Sequence, residues 1–418
     1  MIVNTGIRRR QAPQPSLYLN FAQSGSLAGR GVTLTGTRAS AQTYFDSTGT
    51  MQSAANDVMA YDYNPPTLAA LGLSLWEART NLCLQSEDLT TSWTPTRASI
   101  SANATAAPNG LVTADKLVED STAASTHIVA SADQNLSTAT VYTYTVFAKA
   151  AGRTAFNMQI GTGVGAYGAV VPFCYFDLSS VSIASSGSGV GSIQTLPNGW
   201  FRCSFVAIAT TSASTTNMRL KLAIGASDSY SGDGSSGMYL WGAGVEAGAF
   251  ITPYIATAGA SATRALFADS TTTLTWQGAT ENTYTVSGTK SVVSSAGVLF
   301  QLDDGTENNR ITLSVNASAQ ATLTVVTGGV SQAAINAGTV TANTSFKCAF
   351  RIKNNDIAVS LNGAVVVADT TTPNGLPTVT TLRYGRDSAG TNVVNGWIAT
   401  SSGYPRGLPD GTLQGLST

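Results

Sequence analysis

The sequence predicts an all-β protein: an extended N-terminal arm followed by two antiparallel β-sandwich domains. Three observations lead to this prediction. The 418 residues include 41 glycines and only 11% charged residues, against roughly 25% charged in an average globular protein. Thr, Ser, Ala and Val are also abundant, and this mixture disfavours helices and suits short strands. Finally, apolar and polar residues alternate along many segments, and turn-forming clusters such as "SSGSGVGS" (185–192) separate them.

Residues 1–85 have little sustained periodicity. Short extended pieces follow one another, and Pro65-Pro66 excludes a regular helix or a central strand at that point. We therefore expect residues 1–85 to form an arm that lies on another surface. The basic cluster Arg8-Arg9-Arg10 near its start is expected to be a solvated tail or a protein-docking element.

Residues 86–262 have the pattern of a first sandwich. The segments "VYTYTVFAKA" (141–150), "WFRCSFVAIAT" (200–210) and "MRLKLAIGA" (218–226) alternate at period two. No helical pattern lies between them. Strands with this spacing and with glycine-rich turns indicate an antiparallel sandwich of the jelly-roll kind.

Residues 263–418 predict a second sandwich, after a linker at 254–270. Successive alternating segments fill this region, and Asn362-Gly363 between two of them is a strong hairpin-turn signal, because both central turn residues need a positive φ. The final "LPDGTLQGL" is expected to form a short helical turn. No repeat of 20–50 residues is present, which argues against a β-helix.

Composition also excludes several classes of protein. The formal net charge of −1 predicts no nucleic-acid partner. No run of 18 apolar residues occurs, so membrane insertion is not expected, and the N-terminus lacks the apolar region of a signal peptide. The four cysteines form no CxxC pattern and predict buried thiols in a protein made in a reducing cytoplasm. They are Cys83, Cys174, Cys203 and Cys348.

The stretch "GLSLWEARTNLCLQS" (72–86) places an acid and a base two positions apart in a charge-poor chain. In an extended segment, Glu77 and Arg79 project from the same face and can pair with each other or bind neighbouring backbone groups. Catalysis would need a second carboxylate or a nucleophile nearby, and the run offers neither. We expect the pair to attach the arm to the first sandwich or to a neighbouring subunit.

Three segments of the first 90 residues carry a set of motifs: Thr-Arg-Ala-Ser, then Asp-Tyr with a following proline, then Gly-Leu and Arg-Thr-Asn-Leu followed by Ser-Glu. Their residues are Thr37, Arg38, Ala39, Ser40, Asp62, Tyr63, Pro65, Gly72, Leu73, Glu77, Arg79, Thr80, Asn81, Leu82, Ser86 and Glu87. These segments resemble the N-terminal module of a large group of tailed-phage and prophage virion proteins, whose third segment is G-L-x-x-E-x-x-R-T-N-L. Members often carry two acids where this chain has Trp76-Glu77, so the first acid is absent here and Glu77 matches the second.

Later segments extend the resemblance. "YTVFAKAAGRT", "LPNGWFRCSF" and "GMYLWGAGVEAGAFITPYIATAGASATR" are similar to the carbohydrate-binding-module-like jelly roll of those proteins. The segment from "LNGAVVVADT" to the end resembles a concanavalin- or laminin-G-like sandwich. The resemblance implies a virion-docking arm (1–85), a carbohydrate-binding-module-like jelly roll (86–262) and a concanavalin/laminin-G-like sandwich (263–418).

Aromatic rings beside polar side chains are the candidates for sugar contact, because pyranose C–H faces stack on rings while hydroxyls need directional partners. The candidates are Trp200, Tyr239, Trp241, Tyr384, Arg386 and Trp397. Tyr239 and Trp241 share one strand face, and one face of a sandwich strand is core, so core packing is the alternative for each ring. Two oxygen-rich loops are weak calcium candidates. Their aspartates are Asp228, Asp233, Asp303 and Asp304.

These observations favour a non-enzymatic protein of the virion exterior: a tail fibre, a spike, a head fibre or a capsid decoration subunit. Its arm would bind other virion proteins, and its sandwiches would contact host-surface polysaccharide. The resemblance implies a homotrimer. A purely structural minor capsid or tail component is the first alternative. A polysaccharide-degrading enzyme is the second, although its two facing carboxylates and a nucleophile beside His127, the single histidine, are not apparent.

Overall fold

The computed structural model describes residues 13–23, 32–161, 165–168 and 170–418. Arg8, Arg9 and Arg10 lie outside the described residues. The described chain consists almost entirely of antiparallel strands, which confirms the all-β prediction. It divides into two compact units. The central unit, named for its place in the sequence, is Gly36–Ala268; the terminal unit joins the residues up to Thr35 with Asp269–Thr418.

The central unit contains twenty strands among its described residues and one short 3₁₀ turn, Pro197–Gly199. The strands are β3 Gln42–Phe45, β4 Met51–Ala54, β5 Tyr61–Tyr63, β6 Ala70–Leu75, β7 Arg79–Asn81, β8 Trp93–Thr96, β9 Ala98–Ala106, β10 Val112–Glu119, β11 Ile128–Ser131, β12 Gln134–Leu136, β13 Val141–Ala151, β14 Ala155–Ile160, β15 Phe173–Asp177, β16 Ser182–Gly187, β17 Val190–Thr195, β18 Phe201–Ile208, β19 Ala213–Thr216, β20 Met218–Ala223, β21 Gly237–Ala247 and β22 Ala262–Arg264.

The terminal unit holds the remaining elements, apart from two short strands that cross the boundaries between the units, β2 Thr35–Thr37 and β23 Ala268–Ser270. Its own elements are β1 Leu17–Asn20, β24 Glu281–Lys290, β25 Gly297–Asp303, β26 Arg310–Val315, β27 Gln320–Thr327, β28 Val330–Thr339, β29 Ser345–Lys353, β30 Ile357–Leu361, β31 Val367–Asp369, β32 Thr381–Tyr384, β33 Gly396–Tyr404 and α1 Asp410–Leu416.

Two antiparallel sheets form the sandwich of the central unit. One has the order β17-β18-β13-β21-β10-β9, and the other has the order β16-β15-β14-β20-β11-β8. Cys203 and Leu240 of the first sheet share one buried cluster with Phe156 and Met158 of the second. The three segments predicted as strands at 141–150, 200–210 and 218–226 are β13, β18 and β20, so their period-two alternation identified them correctly.

A second apolar cluster covers the other face of the first sheet. Phe147 and Trp241 belong to it, and they point away from the neighbouring core residues Ala148 and Leu240 because successive side chains of a strand alternate between faces. Met51 packs against them from the β3–β4 hairpin. This outer face of the first sheet is therefore partly covered by residues that precede the sandwich in sequence.

The described part of residues 1–85 is more regular than the predicted extended arm. β3 pairs with β4 and β5 pairs with β6, and Pro65-Pro66 falls in the turn between β5 and β6, as expected of a proline pair. The described residues of this range are divided between the two units. A docking function for residues 1–85 stays a prediction.

The terminal unit is also a two-sheet sandwich. One sheet has the order β28-β27-β26-β25-β32, and β31-β30-β29-β24-β33 form the other, with β1 paired to β33. Rings from both sheets meet in its core: the Phe300 centroid lies 5.2 Å from Tyr284 and 5.4 Å from Phe350. The second sandwich predicted from the sequence is thus present.

Two sequence predictions for the terminal unit are confirmed: the hairpin turn at Asn362-Gly363 and the final helical turn. Asn362 and Gly363 have φ values of 49° and 73°, the left-handed conformation that the hairpin signal required. The final helical turn is α1, whose buried Leu413 packs on Ala349 and Ala358. Among the described residues, no helix has the length and apolar character needed to cross a membrane.

Candidate functional site

The segments that carry the sequence resemblance meet in one place in the central unit. β7 lies between β21 and β22 and pairs with both. Asn81 is fully buried there. Its amide Nδ2 donates to the carbonyls of Ala243 and Ile255 at 3.1 and 2.8 Å, and its Oδ1 accepts from Cys83 N and Val245 N at 3.0 and 2.9 Å. A fully satisfied buried amide of this kind fixes strand position.

Glu77 and Arg79 form an ion pair. The Arg79 Nε donates to Glu77 Oε1 at 2.7 Å, and the guanidinium lies 4.6 Å from the centroid of the Phe250 ring. Arg79 is buried, and its ring partner belongs to the segment after β21. This geometry supports strand packing within the central unit; the proposed attachment of an arm stays a prediction.

Arg264 lies in the segment predicted to be a linker, and the boundary between the two units, after Ala268, falls within that segment. Its guanidinium is fully buried and donates to Thr252 Oγ1, Pro253 O and Glu77 O at 2.9, 3.0 and 2.7 Å. Burial lowers the pKa of Arg264 to about 10. The part of the segment that precedes the boundary is held in the central unit by these hydrogen bonds, which the linker prediction did not include.

Ser86 and Glu87 bind the same segment. The hydroxyls of Ser86 and Tyr254 lie 2.7 Å apart, and the Tyr254 hydroxyl donates to Glu87 Oε1 at 3.0 Å. Burial raises the pKa of Glu87 despite that hydrogen bond. The acid therefore stabilises the packing of Tyr254 on the sheet.

Most of the rings predicted to contact sugar are in the core. Trp241 is 1% exposed and packs between Phe147 and Tyr254, with centroid distances of 5.4 and 4.8 Å. Tyr384 is fully buried and hydrogen bonds to Ser401 Oγ at 2.8 Å. Neither ring has a free face for a sugar, so the core-packing alternative describes them. Alternation shows which residues share a face of a strand, but it does not show which face other residues cover. The burial of these two rings could therefore not be predicted from the sequence.

The other candidates differ in exposure. Arg386 is buried, and its Nη2 donates to Asp269 O at 3.0 Å. Trp200 is 2% exposed, whereas Tyr239 and Trp397 are half-buried. Of this set, Trp200 and Tyr239 lie on the outer face of the first sheet of the central unit.

A cleft opens at one end of this outer face. Three turns form its walls: the turn after β3 (46–50), the turn after β9 (107–111) and the turn after β17 (196–200). Met51 N donates to Pro108 O at 3.0 Å, and Trp200 Nε1 donates to Ala106 O at 3.1 Å, so the turns are held against one another. The volume is about 130 Å³. This is smaller than the roughly 300–1,000 Å³ of a typical small-molecule pocket, so it suits one ring-sized group of a larger ligand.

The lining combines apolar and hydrogen-bonding groups. Phe45 supplies ring surface, Thr105 supplies a hydroxyl, and Asn198 supplies an amide, while the Trp200 ring lies within the wall and is only 2% exposed. Lys149 is the one charged side chain among the lining residues. Asn198 and Gly199 have φ values of 59° and 76°, and this left-handed pair makes the tight turn that holds the exposed amide at the rim. Sequence reasoning singled out Trp200 here and missed Asn198 and Lys149, which carry no local motif.

The four calcium candidates bind protein groups. Lys221 Nζ lies 3.0 Å from Asp228, and Arg383 Nε donates to Asp303 at 2.8 Å. Asp233 accepts from Ser236 N at 2.7 Å, and Asp304 accepts from the Thr306 hydroxyl at 2.6 Å. Across the part of the chain that the structure describes, no group of three or more His, Cys, Asp and Glu could hold a metal ion.

His127 is buried and carries no catalytic geometry. Its Nδ1 lies 2.7 Å from Arg97 O and 3.3 Å from an Asp120 carboxylate oxygen, and its ring lies 4.9 Å from that of Tyr230. A nucleophile is not among these contacts. The sequence around it predicts a half-buried strand position, and that prediction is wrong: His127 lies just before β11 and its side chain is fully buried.

Comparisons with known proteins add little to this geometry. No protein-family model matches the sequence, and no curated protein matches it. Similar solved structures include the CBM40 module of a Ruminococcus gnavus sialidase bound to α2,3-sialyllactose (13% identity, 34% of this chain, 84% of that chain, TM-score 0.29). Others are domains LG4-5 of the mouse laminin α1 chain (8%, 68%, 85%, 0.24) and a Trypanosoma rangeli sialidase (10%, 72%, 60%, 0.28). TM-scores this low carry no argument about ligand or activity.

Proposed function

We propose that this chain is a non-enzymatic surface protein of a tailed-phage virion that attaches to host-surface glycans through the cleft of its central unit. The virion role rests on the sequence resemblance, and so do the docking arm, the position on the virion exterior and the homotrimer. The attachment role rests on the cleft, which places ring surface, a hydroxyl, an amide and a cation around a space for one sugar unit.

Weak contact per site is sufficient for this function. A cleft of about 130 Å³ encloses little of a polymer, so we expect weak binding by one copy and stronger binding by several copies on one particle. The tightly packed strands of both units suit a rigid exterior module, and function would be located in turns held by that scaffold.

A binding array of bacterial surface polysaccharides tests the proposal with the full chain. Asn198→Gly removes the rim amide while retaining a residue that adopts positive φ. We expect it to weaken glycan binding by about tenfold or less, the effect of one or two hydrogen bonds. Asn343→Gly is the matched control, because Asn343 is an exposed asparagine with φ 56° in the terminal unit. Equal loss in both variants, or no glycan bound at all, would contradict the proposal.

The purely structural alternative has one observation in its favour. Trp200, Trp241 and Tyr384 are each at most 2% exposed, so three of the five rings predicted to contact sugar serve packing. A chain that bound no glycan on the array but bound a capsid or tail protein tightly would establish this alternative.

The enzymatic alternative finds poor support in the carboxylates. Glu119 is bound by Arg153, whose Nε lies 2.8 Å from its Oε2, and by the Tyr230 hydroxyl at 2.6 Å. Asp303 is bound by Arg383. A carboxylate that is paired with an arginine is favoured in its ionised form and is therefore a poor general acid. We expect the length of a bound polysaccharide to stay unchanged; new reducing ends would establish an enzyme.

A further inference from the structure

Three residues stand side by side across three neighbouring strands of the central unit. Lys149 of β13 lies directly opposite Tyr239 of β21, and Tyr239 lies directly opposite Lys116 of β10. Directly opposed residues of an antiparallel sheet project to the same face. We call Lys116, Tyr239 and Lys149 the Lys–Tyr–Lys row.

The row lies on the outer face of the sheet. The residues next to its members along the chain, Ala148, Leu240 and Leu117, belong to the core between the two sheets. Alternation of side chains along each strand therefore directs the row away from that core. All three members are half-buried, and Lys149 also lines the cleft. The row thus continues the cleft across the sheet.

Within the described part of the chain, the two ammonium groups have no protein counter-ion. Of the ion pairs among the described residues, none involves Lys116 or Lys149. Lys116 Nζ donates to the carbonyl of Ser235 at 2.9 Å, a neutral acceptor. With strands about 4.8 Å apart, the two lysine backbones are separated by about 10 Å, and the register places Tyr239 on the strand between them. A ligand carboxylate would supply the missing negative charge.

The chemistry of the row specifies the class of ligand. A half-buried phenol ring offers a face and a hydroxyl to a pyranose, and a lysine on either side offers charge-assisted hydrogen bonds to an anionic substituent. The side chain of Ser101, directly opposite Lys116 on β9, is exposed and extends the polar surface. A neutral sugar would make no use of two lysines in one row.

We propose that the Lys–Tyr–Lys row binds an acidic polysaccharide, one whose sugar units carry carboxylates. This inference rests on the proposed glycan-attachment function and adds to it the substrate class. A nucleic acid is the less suitable polyanion, because the chain as a whole has a formal net charge of −1 and the row contains two cations only.

The test uses the full chain and a set of uronate-containing bacterial polysaccharides, each also prepared with its carboxylates reduced to alcohols. We expect binding to at least one uronate polymer and a loss of about tenfold or more on carboxyl reduction. Lys149→Gln and Lys116→Gln should each give a similar loss, and Lys149→Arg should retain most of the affinity. Lys353→Gln, at an exposed lysine of the terminal unit, is the matched control.

The outcomes distinguish failure of the acidic ligand class from failure of glycan attachment as a whole. Equal affinity for a polymer and its reduced form, together with loss of binding in Asn198→Gly, would overturn the acidic class and retain glycan attachment. Binding of no polysaccharide would overturn both. Single-stranded DNA that bound more tightly than every uronate polymer, with the same dependence on both lysines, would replace the saccharide by a phosphate polyanion and overturn the inference.

Discussion

Arg79 and Arg264 are direct cross-strand partners in the pairing of β7 with β22. Like charges directly opposite each other destabilise a sheet, so each guanidinium must be compensated separately. Arg79 pairs with Glu77 and lies over the Phe250 ring, while Arg264 binds a hydroxyl and two carbonyls. The charged residues that looked anomalous in the sequence therefore connect three segments of the central unit.

Replacing Arg264 tests this connection. Arg264→Met retains much of the volume and leaves Thr252 Oγ1, Pro253 O and Glu77 O without their donor. We expect a loss of about 2–4 kcal/mol in the free energy of unfolding. Urea denaturation of the full chain measures it, with Arg97→Met at an exposed arginine as control. An unfolding midpoint unchanged from the wild type would show that Arg264 does not hold the segments together.

Replacing Arg202 should have the opposite effect on the free energy of unfolding. It is buried, its guanidinium lies 5.3 Å from the Phe147 ring centroid, and its Nε and Nη2 have no hydrogen-bond partner. Burial lowers the pKa of Arg202 to about 10, although Glu246 opposes that shift. Arg202→Met therefore removes a costly buried charge, and we expect a change between zero and about 2 kcal/mol of stabilisation. The same denaturation measurement checks it; a loss as large as that of Arg264→Met would contradict the contrast.

Gly248 tests how closely Arg79 packs. It has a φ of 132°, and a Cβ added there would overlap the Arg79 guanidinium. We expect Gly248→Ala to destabilise the protein by about 2–4 kcal/mol, since both strain and overlap oppose it. In the double variant Gly248→Ala/Arg79→Ala the overlap is gone, so the loss should be smaller than the sum of the two single losses. Strict additivity in thermal unfolding would argue against this contact.

The buried carboxyl of Asp269 should make the stability of the terminal unit depend on pH. It is fully buried and accepts from Tyr384 N at 2.8 Å, while Arg386 Nε lies 3.9 Å away and Arg383 acts from a greater distance. Burial raises the pKa of Asp269 to about 7. Because the folded state resists ionisation, this group's contribution to stability is fully present below about pH 4 and is lost as the pH rises to about 7.

Comparison with Asp269→Asn isolates that contribution, because the amide oxygen can still accept from Tyr384 N and does not titrate. Between pH 4 and 8, the unfolding free energy of the wild type should fall relative to the variant by up to about 4 kcal/mol. A difference that stays constant over this range would show that the carboxyl does not change its charge there.

Much of the fold could be predicted from local patterns. Period-two alternation located β13, β18 and β20, and Asn362-Gly363 located a turn, because both signals depend on residues close in sequence. The buried position of Arg264 could not be predicted, since its partners Thr252 and Glu77 approach it only through the pairing of β7 with β22.

The residues of the candidate site could likewise be predicted from the sequence only in part. Alternation correctly placed Tyr239 and Trp241 on one face, and it could not show that Tyr254 covers Trp241 and leaves Tyr239 half-buried. Lys116, Lys149 and Tyr239 come from three strands that are far apart in sequence, and only sheet register brings them together. Alternation determines which face of a strand each residue takes, and it does not determine which distant strands become neighbours.

Hydrogen–deuterium exchange of the full chain, with and without a polysaccharide that it binds, shows whether the glycan binds at the cleft and the Lys–Tyr–Lys row. We expect ligand-dependent protection at the cleft turns, 46–50, 107–111 and 196–200, and in the strand segments around Lys149, Tyr239 and Lys116, with an unchanged polymer length. Protection confined to the terminal unit, or shortening of the polymer during the experiment, would contradict it.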